Sequence, residues 1–173
     1  MHIHLGMSSP RSILVPVDGS PASLAALEHA VALAEEGDAA IDVLHVEAPD
    51  EFRIGSGSPL SPSNRTEVEH ALNEAVDRAS ARLVGRVARR TISGDPLRVI
   101  LDTASSGPYD LIVMGTHGRI GRLHALLGSV AEGVVRNAPC PVLTVRDATG
   151  GYQSFAERRH GRPSMAEQRP HRP

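Results

Sequence analysis

The residue types best suited to chemistry lie in one glycine-rich segment, MGTHGRIGRLHALLGSV, which runs from Met114 to Val130. Gly115 and Gly118 are separated by two residues, and nine further residues lead to Gly128 and Ser129. Glycines permit a tight backbone turn and close approach of a ligand. A helix that begins at Ser129 presents its first amides and its positive dipole end to phosphate oxygens. The spacing therefore predicts a phosphate site, although glycines in a strand-to-helix connection also serve simply as turns.

Arginine alone supplies cationic side chains to such a site, because all 18 residues of the Lys and Arg class are arginine. This excludes a P-loop lysine, a Schiff base and a lysine nucleophile. We expect backbone amides to bind most of the phosphate, with Arg119 or Arg122 and a divalent cation sharing the charge. His117 is predicted as a phosphate donor rather than a catalytic acid or base, because no carboxylate near it in the sequence orients its ring.

A second polar group, DGSP, follows the first apolar run of the chain. Ser20 is predicted to cap a helix whose first residue is Pro21. Asp18 has two interpretations that are compatible: it helps to cap this helix, or it faces a ligand from the end of a strand. His45, within the second apolar run, is predicted to be structural rather than a ligand. Cys140 stands between two prolines and is predicted to be packed rather than redox active.

Two periodicities alternate from about residue 12 to residue 146 and position these groups. Five short apolar runs predict strands at Ser12–Asp18, Ile41–Val46, Val87–Ile92, Asp110–Met114 and Pro141–Arg146. Helical spacing of apolar residues lies between them, with Gly37 predicted to be the C-cap of the first helix and the second helix predicted to stop at Gly85. The segment Glu47–Asn64, rich in Gly, Pro and Ser, is predicted to be a long mobile loop. No period marks it.

The alternation predicts an α/β fold, a single open five-stranded parallel sheet with helices on both faces, in a Rossmann-like arrangement. Ligands of such sheets lie at the carboxyl ends of the strands, where the winding reverses. The strand ends that carry the most polar and glycine residues are those after Val17 and after Met114. We therefore expect the site between these two strand ends.

Composition limits the class of protein further. The 173 residues suffice for one domain, predicted over residues 11–147, between a flexible N-terminus (1–10) and a disordered tail (148–173). Aromatic residues make up 2%, so the core is predicted to consist of Val, Leu, Ile and Ala. The formal net charge is −2, and the tail holds five arginines against two acids. The remaining domain is therefore acidic, which argues against nucleic-acid binding.

The chain shows no feature of a membrane or secreted protein. No apolar run approaches the roughly 20 residues of a spanning helix, and the N-terminus lacks a signal-peptide core. A single cysteine excludes an internal disulfide framework and a cysteine-rich zinc site. The expectation is a cytoplasmic protein without a membrane partner.

The segment MGTHGRIGRLHALLGSVAEGVVRNAPCPVLTVR resembles the C-terminal signature of universal stress proteins, in particular the ATP-binding subgroup with its G-2x-G-9x-G-(S/T) pattern. The runs ILVPVDGSPAS, VLHV and SGDP also fit, so that the resemblance covers about Arg11 to Arg146. It implies an adenine nucleotide alpha hydrolase-like fold, ATP with Mg2+ as ligand, and a homodimer formed through the last strand, Pro141–Arg146. The implied role is nucleotide-dependent regulation of a stress response, through protein partners that stay unknown.

The resemblance also implies which residues contact the nucleotide. Pro16, Val17 and Asp18 match positions beside the adenosine, and Val46 matches an adenine-contacting position. The matches to ribose and phosphate positions are Met114, Gly115, His117, Gly118, Gly128, Ser129 and Val130, with Arg119 added for its charge. The loop at residues 47–64 and the tail after residue 147 match no part of the pattern.

Other functions are less compatible with these residues. An adenylating enzyme would be expected to show SGGxDS or an HxGH turn where DGSP stands. Slow ATP hydrolysis stays an alternative, because bound phosphates and a cation can position water, although no dedicated general base is evident. A nucleotide-free protein-interaction subunit is a further alternative, but it would be expected to have lost the glycine loop. A flavodoxin-like carrier would need a Thr-rich first turn and aromatic residues to stack on flavin.

Overall fold

The computed structural model describes residues 9–48, 62–116 and 127–146, in which five strands alternate with four helices. The strands are β1 (Ser12–Val17), β2 (Ala40–Glu47), β3 (Val87–Ser93), β4 (Leu111–Gly115) and β5 (Val142–Val145). The helices are α1 (Pro21–Gly37), α2 (Pro62–Arg82), α3 (Pro96–Ser106) and α4 (Ser129–Asn137). All five predicted strands are present. Their bounds differ from the predicted ones by no more than one residue at each end.

The strands form one parallel sheet in the order β3-β2-β1-β4-β5. The chain winds from β1 outward to β3 and then returns to β4 on the other side of β1. This reversal places the topological switch point between the carboxyl ends of β1 and β4. β1 pairs with β2 along its whole length, but with β4 only at Ile13 and Leu14. Pro16, two residues further, has no amide hydrogen with which to extend the ladder.

Side chains of alternate residues in the central strands point to opposite faces of the sheet. On one face, Ile13 and Val15 belong to a core cluster with α1 and α2. On the other face, Leu14, Ile112 and Met114 belong to a second cluster with α3 and α4. Both clusters consist almost entirely of Val, Leu, Ile and Ala. The predicted parallel sheet with helices on both faces is confirmed.

The start of α1 is formed as predicted. Pro21 is its first residue, and the Ser20 hydroxyl accepts a hydrogen bond from the Ser23 amide at 3.2 Å. The start of α3 follows the same rule. Its N-cap residue is Asp95, whose carboxylate accepts a hydrogen bond from the Arg98 amide at 2.8 Å. Both caps satisfy amide groups that have no acceptor within their own helix.

The end of α1 differs from the prediction that Gly37 would adopt the capping conformation. Asp38 is the residue in the left-handed region, with φ of 56°. Gly37 is needed for its size instead, since a Cβ there would lie 2.9 Å from the Ser9 Cβ. Arg86 stabilises this end, because its guanidinium donates to the Ala34 carbonyl at 3.0 Å and forms an ion pair with Asp38 at 3.1 Å.

The second helix is longer at its start than the apolar pattern indicated. It begins at Pro62, so that residues 62–64 of the predicted loop are helical, and Glu47 belongs to β2. The middle of that loop, residues 49–61, lies outside the described residues. The helix ends at Arg82, and Gly85 adopts a positive φ of 74° in the following turn. None of the helices in the described ranges is long and apolar enough to cross a membrane.

A polar cluster that the sequence analysis missed connects β2, β3 and the turn after α3. The Arg90 guanidinium donates to both carboxylate oxygens of Asp42, and it also contacts the Tyr109 hydroxyl. The Tyr109 hydroxyl in turn donates to Asp42, whose side chain is 18% exposed. Burial of the phenol, together with the neighbouring carboxylate, raises the pKa of Tyr109 to about 12.

This cluster predicts an unusual tyrosine titration. The chain has two tyrosines, so subtracting the phenolate absorbance of Tyr109→Phe from that of the wild type isolates one of them. The difference is expected to titrate near pH 12, against about 10 for a free tyrosine. The Tyr152→Phe variant serves as the control, since it leaves Tyr109 as the titrating group. A midpoint near 10 for Tyr109 would contradict the cluster.

The same shift predicts a pH dependence of stability. Since the folded pKa of Tyr109 is raised, its contribution is complete below about pH 10 and is lost as the pH rises towards the folded value. Tyr109→Phe should therefore lower the free energy of unfolding at neutral pH by about 1 kcal/mol, the loss expected for a hydrogen bond. Urea denaturation at neutral and alkaline pH measures this difference, which should shrink in alkali.

Candidate functional site

The carboxyl edge of the sheet brings together most of the predicted site residues. The described residues of this set are Pro16 and Val17 at the end of β1, Asp18 directly after it, Val46 near the end of β2, Met114 and Gly115 in β4, and Gly128, Ser129 and Val130 at the start of α4. His117, Gly118 and Arg119 lie outside the described residues, as does Arg122, so their parts in the site stay predictions.

Asp18 occupies the turn between β1 and α1 and is held by serines. Its Oδ1 accepts hydrogen bonds from the Ser20 amide at 3.0 Å and the Ser20 hydroxyl at 2.6 Å. The Asp18 amide donates to Ser23 Oγ at 3.3 Å. Gly19 has a positive φ of 76°, and a Cβ there would lie 2.6 Å from Val68 Cγ1, so α2 packs against the turn. The capping interpretation of Asp18 is confirmed in this indirect form, through Ser20, while its ligand-side role stays a prediction.

His45 joins the end of β2 to the end of β1. Its Nδ1 lies 2.9 Å from the carbonyl oxygen of Val17, so the prediction of a structural histidine is confirmed. The side chains of Val17 and Met114 are 4% and 5% exposed and belong to opposite core clusters. Any ligand at this edge therefore meets these two residues mainly through their backbone. Val46, beside His45, is half-buried and packs with the cluster on the α3 and α4 face.

Gly115 ends β4 against the first turn of α1. A Cβ at this position would lie 2.8 Å from the carbonyl carbon of Ala22 and 2.9 Å from the Ser23 nitrogen, both of them backbone atoms. The close approach predicted for this glycine is thus made to a helix of the protein itself. Ser23 Oγ also accepts a hydrogen bond from the Asp18 amide, so the turn between β1 and α1 is attached to the same part of α1. The lack of a side chain at Gly115 therefore lets this turn lie close to β4.

Thr116, which the sequence analysis did not single out, joins three elements at this edge. Its amide donates to the Val145 carbonyl of β5 at 2.8 Å, and its carbonyl accepts the Gly128 amide at 2.7 Å. The residue is 4% exposed. The two ends of the glycine segment are therefore one hydrogen bond apart, and α4 starts directly beside the end of β4.

The start of α4 has no side-chain cap. Gly128 is the N-cap residue, with φ of −70° and ψ of 158°, a conformation open to any residue. The first amide with an acceptor within the helix is that of Glu132, which donates to the Gly128 carbonyl at 2.8 Å. The amides of Ser129, Val130 and Ala131 precede this bond and have no acceptor within the helix. Such a group of amides at a helix start binds anions.

Gly128 therefore matters for the side chain that it lacks. Serine, threonine, aspartate or asparagine at an N-cap would itself accept a hydrogen bond from the first-turn amides. Glycine leaves them to another acceptor, and Ser129 adds an exposed hydroxyl. The edge thus offers main-chain donors at α4 and a carboxylate at Asp18, linked through Thr116, Gly115 and Ser23. This arrangement suits an anionic ligand that also carries hydroxyl groups.

No three His, Cys, Asp or Glu side chains are grouped to hold a metal ion in the part of the chain that the structure describes. Cys140 packs partly against the cluster on the α3 and α4 face. Burial, and then the Asp110 carboxylate, raise the pKa of its thiol. A thiol with a raised pKa is a poor nucleophile, in agreement with the packing role predicted for it.

Comparisons with known proteins point to one family. A model of the universal stress protein family matches residues 10–146. Universal stress protein MJ0531 of Methanocaldococcus jannaschii is 36% identical over 148 residues, which cover 83% of this chain and 86% of that protein.

Solved structures of the same family share the fold. Universal stress protein UspA from Lactobacillus plantarum superimposes with a TM-score of 0.64 and 26% identity, covering 79% of this chain and 97% of that one. A universal stress protein in complex with cAMP superimposes with a TM-score of 0.61 and 27% identity. That superposition covers 82% of this chain and 100% of the other.

The contact between Gly115 and α1 predicts a destabilising substitution. Gly115→Ala should lower the free energy of unfolding by about 1–3 kcal/mol, the usual cost of inserting a methyl group into a packed contact. Adding Ala22→Gly to this variant should not restore stability, because the nearest atoms are backbone. Urea denaturation measures both variants. An unchanged midpoint in Gly115→Ala would show that α1 does not pack on β4 in this way.

Proposed function

This chain belongs to the universal stress protein family, and we propose that it binds adenine nucleotides, ATP with Mg2+ in particular, at the carboxyl edge of its sheet. The observation that carries the proposal is the uncapped start of α4 beside the switch point of the sheet. A structural neighbour at 27% identity is a complex with cAMP, itself an adenine nucleotide. That neighbour supports the class of ligand.

The phosphates are proposed to lie at the start of α4. The amides of Ser129, Val130 and Ala131 point along the helix dipole, which favours negative charge. Without lysine, these amides replace the cationic side chain that other phosphate loops use. Gly118, His117 and Arg119 complete this part of the proposed site. Mg2+ is proposed to arrive with the phosphates and to share their charge, as is usual for this cation.

The adenosine is proposed to lie over the ends of β1 and β2. Pro16, Val17 and Val46 offer main-chain groups there, and the Asp18 carboxylate is an acceptor of the kind that a ribose hydroxyl requires. Gly115 and its neighbours lie between the Asp18 turn and the start of α4. A single ligand that contacts both the turn and the helix start must therefore be elongated. A nucleoside carrying phosphates has this shape and this distribution of charge.

We propose a nucleotide-dependent regulator of a stress response rather than a fast enzyme. Asp18 is the titratable side chain that the described part of the site offers to a ligand. Its carboxylate accepts hydrogen bonds from Ser20, as expected for a group that positions and binds a ligand. Slow ATP hydrolysis stays the alternative, with a nucleotide-free interaction subunit as the other. A cytoplasmic location is proposed on the grounds of one free cysteine and of ATP as ligand. Nucleic acid is not among the proposed partners.

A homodimer through β5 is part of the proposal. β5 is an outer strand of the sheet, and its Leu143 is 38% exposed, while Val135 on neighbouring α4 is 46% exposed. An outer strand with unpaired backbone groups and exposed apolar side chains is a ready surface for pairing with a second copy. Dimer formation would cover the unpaired backbone groups of β5 and the exposed side chains of Leu143 and Val135.

The test of the ligand is to denature freshly purified, untreated protein and to identify any released nucleotide by chromatography. ATP with Mg2+ is then titrated into protein freed of nucleotide. Bound ATP, or tight binding with little ADP produced over hours, would support the regulator. Rapid release of ADP would favour the enzyme, and the absence of both nucleotide and binding would favour the interaction subunit.

Gly128→Asp is predicted to separate stability from binding. The new carboxylate should cap α4 and leave the thermal midpoint unchanged or higher, because aspartate is a favoured N-cap. It should also occupy and repel the phosphate position, weakening ATP binding by at least about tenfold, or ~1.4 kcal/mol. Adenosine binding should change little. Calorimetric titration measures both ligands, and Gly128→Ala, which adds a side chain without a carboxylate, serves as the control. Unchanged ATP affinity would refute the phosphate position.

Leu143→Arg is predicted to give a monomer, since it places a charge at the proposed dimer contact. Sedimentation velocity measures the change. Val84→Arg is the matched control, because Val84 is 83% exposed and lies between α2 and β3, away from β5. The wild type and the control should both sediment as dimers. A Leu143→Arg dimer, or loss of the dimer in Val84→Arg, would place the interface elsewhere.

A further inference from the structure

The peptide group between Val17 and Asp18 is held by side chains on both sides. Its carbonyl oxygen lies 2.9 Å from His45 Nδ1, and its amide donates to Ser23 Oγ at 3.3 Å. A carbonyl oxygen can only accept, so Nδ1 of His45 carries the hydrogen of this bond. β2 supplies one of these side chains and α1 supplies the other. The orientation of this peptide is therefore determined jointly by two elements outside β1.

The hydrogen bonds continue from this peptide to the Asp18 carboxylate. Ser23 Oγ donates to the Ser20 carbonyl at 3.0 Å, and Ser20 donates to Asp18 Oδ1 through its amide and its hydroxyl. His45 therefore stands at one end of a connected group that reaches the carboxylate proposed to face the ribose. Rotation of the Val17–Asp18 peptide would move that carboxylate.

The sheet itself gives little reason for a histidine at this position. β1 and β2 are paired from Ser12 to Val17, so the ladder is complete without a side-chain bond. A β-branched residue suits a half-buried strand position better than an imidazole does. The ring instead directs its donor to the last carbonyl of β1, at the edge where the ligand is proposed to bind. The bond thus serves the geometry of this edge.

We infer that His45 is a positioning residue of the nucleotide site: it orients the Val17–Asp18 peptide, and through it the groups that bind the adenosine. This inference rests on the proposed function. It concerns the nucleoside end alone, because α4 and Thr116 hold the phosphate end through separate contacts. The effect of His45 on affinity is therefore the same for adenosine as for ATP.

The test compares His45→Leu with His45→Asn in the full chain. Leucine keeps the bulk and removes the donor, whereas the asparagine amide nitrogen occupies the same place along the side chain as Nδ1. His45→Leu should weaken adenosine and ATP binding equally, by about 3- to 10-fold, the loss expected for one hydrogen bond. His45→Asn should stay within about twofold of the wild type, which is well below the effect of one lost bond. Calorimetric titration below the unfolding temperature of each variant measures these affinities.

The amide resonances of Asp18 and Ser20 give a readout that does not require a ligand. They should shift in His45→Leu and return towards their wild-type positions in His45→Asn. Wild-type affinity in His45→Leu, or a loss confined to ATP, would overturn the inference, as would His45→Asn binding as weakly as His45→Leu. A wild type that binds neither adenosine nor ATP would refute the proposed function and this role of His45 with it.

Discussion

The main-chain hydrogen bonds of Thr116 hold the carboxyl ends of β4 and β5 and the start of α4 in contact, at 2.8 Å and 2.7 Å. Both bonds lie in a buried place, where an unpaired amide or carbonyl would be costly. They place the first-turn amides of α4, which have no acceptor within the helix, beside the switch point of the sheet. The proposed phosphate position depends on this geometry, because main-chain amides are the phosphate donors that the described part of the site offers.

The two described glycines of the motif act through different physical effects. Gly115 is required by packing, since the backbone of α1 fills the space where a side chain would be. Gly128 has an ordinary backbone conformation, and its missing side chain leaves the first amides of α4 uncapped. One glycine thus brings the β1–α1 turn close to β4, and the other leaves the amides beyond β4 available. A nucleotide bound as we propose would need both, because its nucleoside and its phosphates would lie at opposite ends of the site.

Most of the fold was predictable from the sequence because its signals are local. Apolar runs predicted all five strands, and Ser20 with Pro21 predicted the start of α1. The capping role of Asp38 was not predictable, because contacts from Ser9 and Arg86 determine that end. The polar cluster around Tyr109 was missed for a related reason: its members are far apart in the chain, and periodicity carries no information about such pairs.

The sequence predicted the candidate site residues, but not the contacts that hold the described ones in place. Glycine spacing and the alternation of elements predicted that these residues lie at the carboxyl edge of the sheet, but they did not reveal Thr116 or the contact of Gly115 with α1. Such contacts arise only once parallel strands are aligned. Residues 117–126 lie outside the described residues, so the proposed roles of His117 and Gly118 rest on the family pattern and that of Arg119 on its charge.

The central claim is that main-chain amides at the start of α4 bind the phosphates. Amide resonances followed during titration with ATP and Mg2+, and separately with adenosine, test it most directly. The account predicts that the amides of Ser129, Val130 and Ala131 shift with ATP and much less with adenosine, while the Asp18 amide shifts with both. Unmoved amides at α4 in protein saturated with ATP would contradict it.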